Sequence, residues 1–174
     1  MKVLPEVTLR ALEPEDLDML YLIENDPELW DVGITNVPYS RFALREYIAS
    51  ASGNIYVDGQ VRLMVCNTQG EAVGVVDLVN FNPQHNRAEV GIVIQTPYRS
   101  MGYGMAALHQ LISYSRKTLH LHQLYALVNE NNNRSIQVFE RVGFQRSAEL
   151  RDWLYDGSRY NNVVVLNYIF INFL

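Results

Sequence analysis

Two hydrophobic rhythms take turns along this chain. Runs that alternate apolar and polar residues mark strands, and apolar residues spaced three and four apart mark helices. "VTLRAL" alternates and predicts a strand over about 7–12. "EPEDLDMLYLIEN" follows, with Pro14 near a helix start and acids in the first turn, where the helix dipole favours them. A helix is expected there over about 14–24. "DPELWDVGITNVPYS" is turn-rich and irregular, and "SRFALREYIAS" predicts a second helix with Ser40 as its N-cap. "NIYVDGQVRLMVCNTQGEAVGVVDLVNFN" holds three β-rich runs, separated by the turn signals Asp58-Gly59 and Gln69-Gly70.

"RAEVGIVIQ" reads as a further strand. "TPYRSMGYGMAALHQLI" carries it into a helix whose broad face collects Met101, Met105, Leu108, Leu111, Ile112 and Ser115. "LHQLYALVN" is a strand, and "NNNRSIQVFERVG" is a short helix closed by Gly143. "FQRSAELRDWLYDGSRYNNVVVLNYIF" gives two strands around the turn at Asp156-Gly157. No internal repeat, low-complexity tract or linker interrupts this order. One α+β domain over residues 1–174 is expected: a mixed, mostly antiparallel central sheet of about seven strands flanked by about four helices.

Composition narrows the class. With 174 residues, 48% of them hydrophobic and 19% charged, the chain can bury a core without disulfides or metal. A net charge of -5 lacks the basic footprint of a nucleic-acid binder. Cys66 is the single cysteine, so there is no disulfide framework and no thiolate cluster; in "RLMVC" it reads as a small buried hydrophobe. His85, His109, His120 and His122 lack the paired spacing of a zinc helix, and no metal is expected. No run approaches the ~20 apolar residues of a membrane span, and the start lacks a leader's apolar stretch. The expected setting is cytoplasmic, with no membrane partner.

"RSMGYGMAA" holds the candidate chemistry. A glycine inside a helix costs about 1 kcal/mol against alanine, yet Gly102 and Gly104 stand where this helix opens. A strand running into a helix N-terminus aims unpaired N–H groups and the positive dipole end outward, a ready anion site. Bare glycines let phosphates approach, with Arg99 adding charge at the lip. The alternative is a tight strand-to-helix turn without a ligand. "GYGMAA" also fits the looser dinucleotide fingerprint, but Leu124 stands where its acidic residue belongs. There is no P-loop and no Gly-x-Ser-x-Gly elbow.

"RSMGYG" resembles the Arg/Gln-x-x-Gly-x-Gly/Ala signature of the GNAT superfamily, the acetyl-CoA-dependent N-acetyltransferases. "VNENNNRSIQVFERVGF" resembles the family's Asn-x-x-Ala/Ser-Ile-x-x-Tyr…Gly-Phe segment, with Asn132, Ser135, Ile136, Gly143 and Phe144 in place. "GVVDLVNFNPQHNRAEVGIVI" looks like the meander and central strand of the branch containing spermidine and ribosomal-protein N-terminal acetyltransferases. The order of elements matches as well, and the resemblance runs from about Val7 to Phe170.

The resemblance implies an enzyme that moves an acetyl group from acetyl-CoA directly to a primary amine and leaves coenzyme A. The backbone of Ile92, Val93 and Ile94 would pair with the pantetheine arm. The loop of Arg99, Ser100, Met101, Gly102, Tyr103 and Gly104, with Met105, would take the pyrophosphate. Met101 departs from the family's usual lysine or arginine. Asn132 and Ser135 would face the far end of the cofactor. A base must deprotonate the ammonium, and Glu89 and Asp77 are the nearby acids. Glu89 is the first choice, sharing side-chain parity with Gly91 and Val93; the alternative is a carboxylate paired with Arg87 or facing solvent.

The family's thiolate acid is commonly a tyrosine, and Phe139 stands in its place. That departure opens a second reading, an acyl-CoA-binding module with little or no catalysis. Tyr155 or Tyr160 in the last hairpin would be substitutes. Acceptor contacts are expected from Trp30 and Asp31 between the first two helices, from His85 before the central strand, and from Tyr155. Asn36 and Val37 stand where polyamine acetyltransferases carry adjacent glutamates, which weighs against spermidine. A small-molecule amine and a protein N-terminus both stay open as acceptor. Relatives of this kind are often homodimers, and the apolar tail "NYIFINFL" is either a partner surface or a last strand.

Overall fold

The chain is described by a computed structural model over residues 3–29 and 37–171. It begins with strand β1 (Thr8–Ala11) and helix α1 (Leu17–Glu24). The turn between them is fixed by Asp16. This carboxylate accepts the N–H of Glu13 at 2.8 Å and both outer nitrogens of Arg10 at 2.7 and 2.8 Å. The Arg10 hydrogen bonds outweigh burial and hold Asp16 below the usual carboxylate range. Helix α2 (Arg41–Ser50) starts as the sequence predicts, with Ser40 Oγ accepting the N–H of Ala43 at 3.0 Å.

One expected strand is helical. Ile55–Asp58 forms a single turn, α3: Asn54 Oδ1 accepts the N–H of Tyr56 at 2.9 Å, and Gly59 closes it at φ +68. Two caps outweigh the β propensity of "IYV", and Asp58-Gly59 ends a helix instead of folding a hairpin. Among the described residues, five α-helices therefore stand where about four were expected.

Strands β2 (Val61–Cys66), β3 (Ala72–Asn82) and β4 (Arg87–Ile94) form the meander. Helix α4 (Tyr103–Lys117), β5 (Gln123–Asn129), α5 (Asn133–Arg141), β6 (Gln145–Tyr155) and β7 (Tyr160–Ile169) follow. The seven strands lie in the order β1-β2-β3-β4-β5-β7-β6, antiparallel except for β4 and β5. This is the mixed, mostly antiparallel sheet expected from the sequence.

Two packed layers cover the sheet. Val76, Leu78, Ala88 and Val90 pack in one cluster with Leu108 and Leu111 of α4 and with Ile136 and Phe139 of α5. Ile23 of α1 packs with Met64, Cys66 and Val75 in a second. Neighbouring residues of β4 divide between the two clusters, Ile92 joining the first and Val93 the second. Met101, expected on the α4 core face, lies before the helix and is 55% exposed. Cys66 is buried, as its apolar run predicts. Among the described residues, no helix is long and apolar enough to cross a membrane.

The site is positioned by one register fact. β4 and β5 pair only at Arg87↔Gln123, Ala88↔Leu124 and Glu89↔Tyr125. Beyond these, β4 stays with β3 as far as Ile94, and β5 stays with β7 as far as Asn129. The sheet is thus two half-sheets that share one short parallel seam and part above it.

Candidate active site

A cavity of about 500 Å³ fills the wedge between the parting strands. Its walls come from β4 (Glu89 to Val93), from Leu127 to Asn129 of β5, and from Asn132, Ser135 and Phe139 around α5. On its other side it reaches Glu24 of α1, Tyr47 of α2, Arg62 of β2 and Asp77 of β3. A strand that has lost its neighbour presents backbone donors and acceptors on that edge. Here the edge belongs to Val90 through Ile94.

At the end of β4 the backbone turns into α4 through a cradle of N–H groups. Ser100 (φ +64) and Gly102 (φ +96) are both left-handed, and Gly102 is the N-cap of α4. Among the described residues, no main-chain or side-chain acceptor takes the N–H groups of Ser100 through Met105; the first helical bond runs from Ala106 N to Gly102 O at 3.1 Å. Consecutive inward N–H groups at a helix start are an anion-binding arrangement.

The two glycines do different work. Gly102 is required by the protein itself: its φ is left-handed, and a Cβ there would meet Pro5 Cδ at 3.0 Å and Leu4 Cδ2 at 3.2 Å. Gly104 is not. A Cβ at 104 would find only ordinary contacts, at 3.8 Å to Ile94 Cγ1 and Val138 Cγ1. Its bare backbone is thus unexplained by the packing of this chain and fits close approach of a ligand.

Arg99 was expected to hold charge at the lip. Its Nε donates to Ile94 O at 2.9 Å, fastening the turn to the end of β4. A cation that the sequence reading missed stands nearby: Arg134 of α5 donates from Nη2 to Ser100 Oγ at 3.0 Å. It lies 34 positions from Ser100. Only the packing of α5 beside α4 brings it there.

On α5, Asn132 Oδ1 accepts the N–H of Ser135 at 3.0 Å, so Asn132 is the helix N-cap as well as a cavity wall. Phe139 is 2% exposed and packs edge-on against Phe144, with ring centroids 5.0 Å apart. It touches the cavity but offers no proton.

The floor is charged. Glu89 accepts from Asn80 Nδ2 at 2.8 Å, not from Arg87. Burial, and then the Glu89 charge, push the Tyr125 phenol up. Asp77 is held on both oxygens by Arg62, with Nε–Oδ1 2.6 Å and Nη2–Oδ2 2.9 Å. Arg62 Nη1 also pairs with Glu24. Burial alone would depress Arg62, but Asp77 and then Glu24 outweigh it and raise the group above its ordinary value. Burial raises Tyr47 as well, against the opposing charge of Arg62.

Of the expected acceptor residues, His85 and Tyr155 do not line this cavity. His85 sits in the exposed β3–β4 turn with its N–H on Asn82 Oδ1, and the Tyr155 hydroxyl donates to Gly157 O in the last hairpin. Tyr160 stacks on Tyr155 there at 5.0 Å. Trp30 and Asp31 lie outside the described residues, as does Asn36. Arg62, Glu24 and Tyr47 were not singled out in the sequence. The alternation of β2 puts Arg62 on one face, and only the register with β3 brings it beside Asp77.

Known proteins share this architecture. The acetyltransferase (GNAT) domain family matches residues 6–145. A spermidine N(1)-acetyltransferase of Escherichia coli (strain K12) is 30% identical over 158 residues, 91% of this chain and 83% of that protein. A putative ribosomal N-acetyltransferase of Bacillus subtilis (strain 168) is 29% identical over 167 residues, 94% and 91% of the two chains. The crystal structure of spermidine N-acetyltransferase from Vibrio cholerae in complex with CoA and spermine superposes with a TM-score of 0.84 at 26% identity, covering 94% and 95%. A dodecameric structure of spermidine N-acetyltransferase from Vibrio cholerae gives 0.77 at the same identity, covering 94% of each chain.

The contrast between the glycines generates a prediction. Gly104→Ala should leave the melting temperature within a few degrees of wild type, yet weaken coenzyme A binding by about tenfold, because its methyl group replaces the bare backbone a ligand would approach. Calorimetric titration of the folded variant checks this, and unchanged affinity contradicts the cradle.

Proposed function

The chain belongs to the GNAT acetyltransferase family and performs acetyl-CoA-dependent N-acetylation of an amine; from that premise we propose how its own residues divide the task. The N–H groups from Ser100 to Met105 take the diphosphate, and Arg134 supplies the cation that Met101 does not. The free edge of Ile92, Val93 and Ile94 pairs with the pantetheine arm, with Asn132, Ser135 and Phe139 as the opposite wall. Bound acetyl-CoA supplies the acyl group as an activated thioester.

The acceptor is a small primary amine that enters from the Glu24 side, and Glu89 takes its proton. The observation that supports this is the position of Glu89. It is the last β4 residue paired with β5, it lines the cavity, and the next residue of the same parity is Gly91, which leaves the path above it open. Its Asn80 partner donates to one oxygen, Oε2. Asp77 is placed less well for proton transfer, since Arg62 engages both of its oxygens. We assign Asp77 an anchoring role. The spermidine-acetylating relatives support a small amine as acceptor class.

Two variants test the assignment. Glu89→Gln should lower kcat/KM for amines by about 10²- to 10⁴-fold, with coenzyme A affinity unchanged. A variant that keeps the wild-type kcat/KM for amines contradicts the role of Glu89. Phe139→Tyr places a hydroxyl at the wall where the family carries one. It should raise kcat about tenfold with little change in KM for acetyl-CoA; equal turnover would mean that water already serves the thiolate.

A further inference from the structure

Three carboxylates line the cavity, on Glu24, Asp77 and Glu89, and among the described residues one cation does, Arg62. On the reading above, Glu89 meets the reacting nitrogen. A second ammonium on the acceptor would need its own anion, because a charge taken out of water is tolerated only when paired. Asp77 and Glu24 are the other anions of the floor, and both are already matched by the guanidinium of Arg62.

The placement is specific. Arg62, Asp77 and Gly91 form one cross-strand row, and Val79 and Glu89 belong to the next row of the same parity. Two residues along a strand span about 6.6 Å. That row meets β4 at Gly91, where the neighbouring side chain is Asp77, so a short diamine with one nitrogen at Glu89 brings the other against the Asp77 carboxylate. That carboxylate is already held on both oxygens by the Arg62 guanidinium, whose side chain is 19% exposed, with its Cζ 5.9 Å from the Tyr47 ring centroid and bonded across to α1 and β3. Displacing Arg62 would leave its own charge unpaired in the same partly dry space.

We infer that Arg62 is a specificity-determining residue, its guanidinium standing in the place of a second acceptor ammonium and tuning the site to amines that carry a single positive charge near the reacting nitrogen. The inference rests on the cavity being the acceptor site. It differs from a merely structural role for the Arg62 cluster, which would cross-link α1, β2 and β3 without distinguishing one amine from another.

The test compares acetylation of butylamine, 1,4-diaminobutane and spermidine by the full chain and by Arg62→Lys and Arg62→Gln. Wild type and Arg62→Lys are expected to prefer butylamine. Arg62→Gln releases both oxygens of Asp77 and should raise kcat/KM for diaminobutane and spermidine, relative to butylamine, by about tenfold through KM. A structural role alone would lower all three together, and ratios unchanged within about twofold overturn the inference. Should Arg62→Gln fail to fold, the wild-type series decides: efficiency falling with each added ammonium supports the inference, and efficiency climbing overturns it. Acetylation of none of the three amines by wild type overturns the acceptor reading itself, and the inference with it.

Discussion

The parting of β4 from β5 is the constraint on which everything else here depends. A parallel pair normally continues until one strand ends, because each lost rung leaves backbone groups to be satisfied elsewhere. In this chain the rungs stop after Glu89↔Tyr125, while each strand keeps its other neighbour to the end. The two half-sheets are each held by their own antiparallel ladders, so the wedge between them does not close. A buried backbone group left unmatched costs about 1–3 kcal/mol. The wedge is thus a slot that an extended, hydrogen-bonding chain such as pantetheine can complete, as a missing strand would.

Polarity is distributed along that slot in two ways. At the α4 end the donors are backbone, so the cradle does not depend on which side chains surround it. Arg99 can turn back onto Ile94 O, and Met101 can point outward, without removing a single N–H. At the other end the groups are side chains anchored on different elements: Glu24 on α1, Arg62 on β2, Asp77 on β3 and Glu89 on β4. On the proposed roles, the cofactor end rests on backbone groups and the acceptor end on side chains.

The legible and illegible parts of the sequence divide by distance along the chain. Period-two runs and helix caps located nearly every element, because those signals are local; Ser40 and Gly143 cap the helices they were expected to cap. "IYVDG" misled because three β-formers sat between Asn54 and Gly59, and capping decided the matter. The turn into α4 was legible because it is one contiguous stretch. Arg134 beside Ser100 was not, nor was Arg62 between Glu24 and Asp77, for these meet across 34, 38 and 15 positions. A strand's parity says which face a side chain takes, but only the folded register says what waits there.

Amide hydrogen exchange of the whole chain with and without coenzyme A is the most direct measurement of the central claim. The account predicts slowed exchange at the free edge of β4 from Val90 to Ile94 and at Ser100 to Met105, with β1 and the β6–β7 hairpin unchanged. Coenzyme A that binds while leaving those two segments exchanging at their free rates would contradict it.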